Sequence, residues 1–203
     1  MKNIAVFASG SGSNFGAILE AVQGGELRCQ VQLLVCDQPS AYAIQRAEEA
    51  GVPTFVFRAK DYSSKTEYEQ EICALLTEKN IDLVVLAGYM RLIGSTLLTD
   101  FEGKIINIHP SMLPAFPGKD AIGQALAANV KESGVTVHYV DAGMDTGPII
   151  AQQSVVVDEG ETKESLQKKI HEVEHKLYPA VISELLKGER RTESEKTSIN
   201  KCI

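Results

Sequence analysis

Residue types that suit acyl transfer lie in two stretches of the second half of the chain. Asn107 and His109 end an apolar, strand-like run, and a glycine-punctuated loop farther along carries Asp141 and Asp145. Because side chains alternate along a strand, Asn107 and His109 are expected on the same face. An amide and a protonated imidazole can donate to a tetrahedral oxyanion, while a carboxylate keeps the imidazole charged and passes protons between nitrogens. The set suits acyl transfer to an amine, although an Asn-x-His at a strand end is by itself more often structural.

A second candidate site is the segment 9–14 (SGSGSN), here called the glycine–serine loop, between the first apolar run and the first helical stretch. Its glycines let the backbone approach an anion, the helix start supplies free N–H groups, and the hydroxyls of Ser11 and Ser13 add donors. The dinucleotide pattern G-x-G-x-x-G fails because Phe15 stands at its third glycine, and no P-loop lysine follows. Asp37, after the second strand, could imitate a dinucleotide ribose ligand, but that glycine is missing. The loop therefore favours a phosphate monoester over a dinucleotide or a turn without ligand.

The remaining histidines are interpreted as structural. His138 lies on a strand of alternating character and is expected to be a packed, hydrogen-bonded residue near the site rather than a catalyst. The segment 171–175 (HEVEH) fits H-E-x-x-H, the zinc-protease helix pattern, with Glu195 at a plausible distance for a third ligand. The same helix carries an apolar stripe formed by Leu166, Ile170, Val173, Leu177 and Val181. His171 and His175 fall on the far side of that stripe, so we expect an exposed helix face and no metal.

These candidates must be positioned by an alternation of strands and helices. Strands are predicted at 3–8, 31–36, 54–57, 82–88, 104–109, 134–140 and 148–157. Helices are predicted from the glycine–serine loop to about 24, at 41–51, 64–79, 121–129 and 162–187, with a short helical piece before 104. Gly51 is expected to stop the second helix, and Ser64 and Glu67 are expected to open the third with a capping box. This pattern predicts an α/β fold with a doubly wound, mostly parallel central sheet covered by helices on both faces. Ligands are then expected at the carboxyl ends of the strands, just after residues 8, 87 and 109.

Composition limits the class of protein. The 203 residues are 44% hydrophobic and 23% charged, which is typical of a globular chain, and the net charge of −7 disfavours a general nucleic-acid binder. No apolar run approaches the length of a membrane span, and the first strand-like run begins almost at the amino terminus, so we expect no membrane partner and a cytoplasmic location. Cys29, Cys36, Cys73 and Cys202 match no metal or redox spacing and suit a reducing compartment. One domain is predicted over 1–188, followed by a flexible tail at 189–203.

Four segments of the chain resemble a known family. They are SGSGSN, VVLAGYMRLI, NIHPSMLPAFPG and MDTGPII, and they occur in the order and spacing of the folate-dependent, single-domain phosphoribosylglycinamide formyltransferases. The resemblance covers residues 2 to about 188. It implies a Rossmann-like formyltransferase fold that transfers the formyl group of 10-formyltetrahydrofolate to the amino group of glycinamide ribonucleotide, in purine biosynthesis, without a metal.

The resemblance also implies a catalytic trio. His109 matches the proton-donating imidazole, Asn107 the oxyanion donor, and Asp145 the carboxylate that raises the basicity of that imidazole. No Ser, Cys or Lys nucleophile is implied, because the amine attacks the formyl carbon directly.

Two binding sets follow from the same resemblance. The residues implied for the ribonucleotide are Gly12, Ser13 and Asn14 for its phosphate and Glu174 for its ribose hydroxyls. The residues implied for the folate are Lys65, Met90, Arg91, Leu92, Ile93 and Asn107. Many relatives carry arginine at the position of Lys65, and a lysine keeps that charge without the planar fork.

Three alternatives compete with this interpretation. Methionyl-tRNA formyltransferase resembles the core but carries an additional tRNA-binding domain, and formyltetrahydrofolate hydrolase has a regulatory domain before a similar core. The glycine–serine loop favours a ribonucleotide acceptor over water. A non-catalytic nucleotide-binding protein could use that loop alone, but would have no use for Asn107, His109 and Asp145 together.

Overall fold

The computed structural model describes residues 1–188, so the predicted tail at 189–203 lies outside the described residues. The strands are β1 (Lys2–Ala8), β2 (Cys29–Cys36), β3 (Thr54–Val56), β4 (Leu83–Leu86), β5 (Ile105–His109), β6 (Glu132–Tyr139) and β7 (Ile149–Val156). The helices are α1 (Ser13–Gln23), α2 (Tyr42–Glu49), α3 (Lys65–Glu78), α4 (Ser95–Asp100), α5 (Ala121–Ala127) and α6 (Lys163–Leu186), with a 3₁₀ turn at Ala59–Asp61. The predicted elements and their order are confirmed.

The strands form one seven-stranded sheet in the order β3-β2-β1-β4-β5-β6-β7. The strands from β3 to β5 are parallel, while β6 runs antiparallel to β5 and β7 antiparallel to β6. From β1 the chain adds β2 and β3 on one side of the sheet. It then crosses back and adds β4 on the other side of β1. This reversal makes the carboxyl ends of β1 and β4 the place where an open α/β sheet forms a ligand crevice.

Alternation along the central strands divides the core between the two faces of the sheet. Ile4 and Val6 of β1 belong to one buried cluster, with side chains of α1, α2, α5 and α6. Ala5 and Phe7 belong to the other, with side chains of α3 and α4. Helices cover both faces, which explains why the strands appear as continuous apolar runs.

Side-chain caps begin α3, α5 and α6. Ser64 caps α3 by accepting from the Glu67 N–H at 3.2 Å, as the predicted capping box requires. The main partners of the Glu67 carboxylate are the N–H and the hydroxyl of Ser63, both at 2.7 Å, rather than Ser64. Helix α2 ends at Glu49, slightly before the predicted stop at Gly51.

Helix α6 is hydrogen-bonded to the central strands through a buried side chain. Its Tyr178 is fully buried and donates its hydroxyl to the carbonyl oxygens of Leu86 and Ile106, at 2.8 and 3.3 Å. Helix α1 packs along α6, and His171 and His175 of α6 are half-buried and stacked on each other, with ring centroids 5.9 Å apart. The predicted exposed face for these two histidines is therefore wrong. No helix within residues 1–188 is long and apolar enough to span a membrane.

The cysteines behave as small core side chains. Cys29, Cys36 and Cys73 are free and buried, and Cys202 lies outside the described residues. Burial raises the pKa of Cys29 to about 11 and that of Cys73 to about 12. These thiols therefore stay protonated and unreactive at neutral pH.

Candidate active site

The three strand ends predicted to carry function meet at one edge of the sheet. Leu86 of β4 pairs with Asn107 of β5, so the segment leaving β4 begins beside Asn107. The glycine–serine loop leaves β1 on the other side of β4, and the N–H of Ser9 donates to the carbonyl of Gly88 at 3.1 Å. Parallel strands thus deliver three separate loops to the crevice.

The glycine–serine loop leads directly into the first turn of α1. Gly12 is the N-cap residue and has a φ of 66°, in the left-handed region that favours glycine. A Cβ atom at this position would lie 2.8 Å from the Cβ of Ala43, so only glycine lets α2 approach this closely. The first turn of α1 has no side-chain cap and no acidic residue. This turn suits an anion, because its N–H groups and the helix dipole both favour negative charge.

Asn14 and Glu174 form a buried polar pair beside that turn. Asn14 Nδ2 donates to Glu174 Oε2 at 2.9 Å, and the two residues are 8% and 5% exposed. Asn14 Oδ1 is buried and has no hydrogen-bond partner among residues 1–188. Burial raises the pKa of Glu174 to about 7, although the Asn14 amide partly opposes the shift. A buried acceptor without a donor, next to a carboxyl group, suits a ligand rich in hydroxyl groups.

Glu174→Gln is expected to change how stability depends on pH. The pKa of Glu174 is about 7 in the folded chain and 4.5 without burial. The folded state therefore holds a proton that the unfolded state releases between these values, and the wild-type chain loses stability as pH rises through this window. The difference in the free energy of unfolding between variant and wild type should change by up to about 1.4 kcal/mol per pH unit.

Urea unfolding at several pH values from 4.5 to 7 measures this effect. Glu172→Gln, an exposed carboxylate on the same helix, is the matched control and should parallel the wild-type profile. A parallel profile for Glu174→Gln as well would contradict the raised pKa.

His109 is held between two acceptors. Its Nε2 lies 2.9 Å from the carbonyl oxygen of Phe116, and its Nδ1 lies 3.4 Å from Asp145 Oδ2. A carbonyl oxygen can only accept, so Nε2 carries a proton and Nδ1 is the nitrogen left for proton exchange. The ring is 5% exposed, which fixes its orientation.

Asp145, from the glycine-punctuated loop, contacts both candidate residues at the end of β5. Its Oδ1 lies 3.4 Å from Asn107 Nδ2, and its Oδ2 accepts from the N–H of Gly118 at 2.8 Å. The pKa of Asp145 is lowered to about 2, chiefly by the neighbouring imidazole of His138, with further contributions from Gly118 and His109 against the cost of partial burial. Asp145 therefore stays ionised at neutral pH and presents its charge to His109.

His138 completes what we call the central cluster: Asn107, His109, His138 and Asp145. The antiparallel register places His138 directly opposite Asn107. His138 Nδ1 lies 2.8 Å from the carbonyl oxygen of Tyr139 and therefore carries a proton, while Nε2 lies 3.3 Å from Asn107 Nδ2 and 3.6 Å from Asp145 Oδ1. The prediction of a packed, hydrogen-bonded histidine near the site is confirmed.

The chain between His109 and α5 is held in place by a buried hydroxyl. Thr136 Oγ1 donates to the carbonyl of Ser111 at 2.7 Å and accepts from the N–H of Leu113 at 3.0 Å. Gln152 of β7 donates to the same hydroxyl and to the Leu113 carbonyl, at 2.9 and 2.8 Å. These bonds fix the segment that presents the Phe116 carbonyl to His109.

The residues implied for folate lie along the segment that follows β4. Met90 and Leu92 are 72% and 54% exposed, whereas Ile93 is buried in the core and anchors the segment. Arg91 lies over the ring of Tyr68, with its guanidinium carbon 5.6 Å from the ring centroid. Lys65 begins α3 and reaches the end of this segment, where its Cε would lie 2.8 Å from a Cβ atom added to Gly94. Met90 and Leu92 thus present exposed apolar side chains on a segment that Ile93 anchors in the core.

Several contributors escape sequence reasoning. The carbonyl of Phe116 and the N–H of Gly118 are backbone groups, which every residue has, so no residue type signals them. Thr136 is also missed. Alternation on β6 indicates that Thr136 shares a face with His138, which is predicted near the site, and that signal could have found Thr136.

No group of three or more His, Cys, Asp or Glu side chains able to hold a metal occurs in the part of the chain that the structure describes. Glu195, the third ligand considered for the HEVEH segment, lies outside the described residues. His171 and His175 lie on α6, where their rings are half-buried and stacked on each other.

The fold and the site together define a class of enzyme. A family model described as formyl transferase matches residues 2–182, and the chain belongs to the formyl transferase family. The crystal structure of glycinamide ribonucleotide transformylase 1 from Geobacillus kaustophilus superposes with a TM-score of 0.90 at 61% sequence identity, covering 92% of this chain and 99% of that one. The predicted doubly wound formyltransferase fold is confirmed.

Within this family the similarity is to phosphoribosylglycinamide formyltransferases. The chain is 55% identical over 186 residues to the phosphoribosylglycinamide formyltransferase of Bacillus subtilis (strain 168), covering 92% of this chain and 95% of that protein. It is 39% identical over 189 residues to the trifunctional purine biosynthetic protein adenosine-3 of Drosophila melanogaster, of which the alignment covers 14%. The resemblance that the four sequence segments indicate is therefore confirmed.

Proposed function

We propose that the protein transfers the formyl group of 10-formyltetrahydrofolate to the amino group of glycinamide ribonucleotide, in the cytosol, as a step of de novo purine biosynthesis. The observation that carries the proposal is the position of the Asp145 carboxylate, whose two oxygens lie 3.4 Å from Asn107 Nδ2 and 3.4 Å from His109 Nδ1 at the carboxyl end of β5. The reaction involves two small-molecule substrates and no metal, nucleic acid or membrane.

The ribonucleotide is proposed to bind from the glycine–serine loop to Glu174. The phosphate occupies the first turn of α1, where the N–H groups of Ser13 and Asn14 and the flexible backbone of Gly12 surround it. The ribose hydroxyls then donate to Glu174 and to the unpaired Oδ1 of Asn14. This orientation directs the amino group of the substrate toward β5.

The folate is proposed to pack on the segment after β4. Its pterin packs against the segment from Met90 to Ile93, in which Met90 and Leu92 are exposed and Ile93 is the buried anchor, close to Asn107. Lys65 offers its ammonium group to the carboxylates of the glutamyl portion. Both substrates then meet at the central cluster, on either side of the switch point.

Transfer is proposed to proceed by direct attack. The substrate amine forms a bond to the formyl carbon, and the formyl oxygen becomes an oxyanion that accepts from Asn107 Nδ2 and from Nδ1–H of His109. A proton passes from the attacking amine to the folate nitrogen by way of His109 and Asp145, and the bond between the formyl carbon and that nitrogen breaks. The products are the formylated ribonucleotide and tetrahydrofolate.

A spectrophotometric assay with 10-formyltetrahydrofolate, with and without glycinamide ribonucleotide, tests the proposal. Folate turnover that requires the ribonucleotide is the expected result. Turnover without it would identify a formyltetrahydrofolate hydrolase instead. No turnover in either case, with the ribonucleotide still bound, would identify a non-catalytic nucleotide-binding protein.

Replacing Ser13 and Asn14 together by alanine is expected to raise the KM for the ribonucleotide by about 10- to 100-fold. The backbone N–H groups remain, but the bond from the Ser13 hydroxyl to the phosphate and the bond from a ribose hydroxyl to Asn14 Oδ1 are lost. The KM for 10-formyltetrahydrofolate, measured in the same variant, is the internal control and should change by less than about threefold. An unchanged KM for the ribonucleotide would count against phosphate binding at this loop.

A further inference from the structure

Ser9 lies where β1 ends and the glycine–serine loop begins, and its hydroxyl connects two other strand ends. Ser9 Oγ donates to Asp37 Oδ1 at 2.6 Å and accepts from the N–H of Met90 at 2.9 Å. A hydroxyl has one proton to donate, and the carboxylate takes it, so its lone pair is directed to Met90. Together with the bond from Ser9 N–H to Gly88, the side chain and backbone of one residue hold the start of the folate segment.

Asp37 is a buried carboxylate that the proposed reaction does not use. It is 5% exposed at the end of β2, where a carboxylate requires donors to offset the loss of water. Its Oδ2 lies 3.7 Å from Arg91 Nη1 and 3.4 Å from Gln38 Nε2. Asp37 thus faces Ser9 on one side and Arg91 on the other.

We infer that Ser9 and Asp37 are positioning residues that hold the segment from Met90 to Ile93 against the base of the glycine–serine loop, so that the two substrates are aligned for transfer. The inference rests on the proposed function. Neither side chain touches a reacting atom: Ser9 acts through the N–H of Met90, and Asp37 acts through Ser9 and Arg91. Ser9 and Asp37 therefore fix the position of the segment from Met90 to Ile93 relative to the glycine–serine loop, which binds the ribonucleotide.

The test is a steady-state analysis of Ser9→Ala, Asp37→Asn and the double variant with 10-formyltetrahydrofolate and glycinamide ribonucleotide. Each single variant is expected to raise the KM for the folate by about tenfold, the scale of one lost hydrogen bond, and to leave the KM for the ribonucleotide within about threefold. The two effects should combine less than additively, because the residues act through one contact. Ser40→Ala, an exposed serine after the same strand as Asp37, is the control and should match the wild type.

A merely structural role would lower the melting temperature without moving the KM for the folate. That result, a rise confined to the ribonucleotide, or fully additive effects would overturn the inference. Asp37→Asn is nearly isosteric and keeps the test available if Ser9→Ala does not fold.

The wild-type chain in the same assay separates the two proposals. If it transfers no formyl group, the proposed function fails and the inference fails with it. An active wild type whose variants are unaltered refutes the inference alone.

Discussion

His109→Ala is expected to lower kcat by about 10²- to 10⁴-fold, the usual range for the loss of a general acid–base group. The imidazole donates through Nε2 to Phe116 and presents Nδ1 to Asp145, so no neighbouring group can supply the same proton at the same place. Binding of the ribonucleotide should persist, because its phosphate and ribose contacts lie on other elements. Single-turnover kinetics and calorimetric titration with the ribonucleotide measure the two quantities separately.

Truncation at His109 also leaves the Phe116 carbonyl without its donor, at a cost of about 1–3 kcal/mol in stability. Circular dichroism must therefore show that the variant is folded before its kcat is interpreted. His171→Ala removes a half-buried imidazole outside the central cluster and is the matched control. Turnover near the wild-type level in a folded His109→Ala variant would remove this residue from the mechanism.

Asp145→Asn is expected to lower kcat by about 10²- to 10³-fold with small changes in either KM, because the lost interaction forms with the transition state. The amide conserves shape, and its oxygen can still accept from the N–H of Gly118. What it lacks is the charge, which Asp145 retains down to a pH near its pKa of about 2. Without that charge the protonated form of His109 loses its partner at Nδ1.

Asp141→Asn provides the matched control for this substitution. Asp141 lies in the same loop, is exposed, and accepts from the N–H of Gly143 and the hydroxyl of Thr146 at 3.0 and 2.7 Å. An asparagine at this position keeps both acceptor bonds and loses only the charge. The kcat should therefore stay within about threefold of wild type. If both variants lose activity equally, loop conformation rather than the charge of Asp145 is responsible.

Patterns within short stretches were enough to predict the layers of this fold. Side chains that alternate between two buried faces, as Ile4 and Ala5 do, produce continuous apolar runs, and such runs separated by helices require a sheet covered on both sides. The conformation of the glycine–serine loop is also partly local, because the left-handed φ of Gly12 favours glycine by itself, whereas the closeness of Ala43 on α2 is a tertiary demand for the same residue. The same-face placement of Asn107 and His109 follows from strand geometry alone.

The prediction of an exposed face for His171 and His175 was wrong because the burial of a side chain depends on tertiary packing. Helical periodicity identifies the side of α6 with the most apolar residues, but it contains no information about helices packed alongside, such as α1. In the capping box at α3, Ser63 supplies the Glu67 carboxylate with two bonds that the pattern does not predict. Both outcomes depend on neighbours that a one-dimensional pattern does not specify.

Chemical competence of the central cluster depends on contacts between distant residues. The antiparallel register of β5 and β6 brings His138 opposite Asn107, and a loop beyond β6 returns Asp145 to His109. Backbone groups of Phe116 and Gly118, which carry no residue-specific signal, then orient the imidazole and the carboxylate. Short-range alternation and backbone geometry therefore determine which residues are available at the edge of the sheet. Their protonation and mutual orientation arise only when packing removes water and sets the distances between charges that are far apart in the chain.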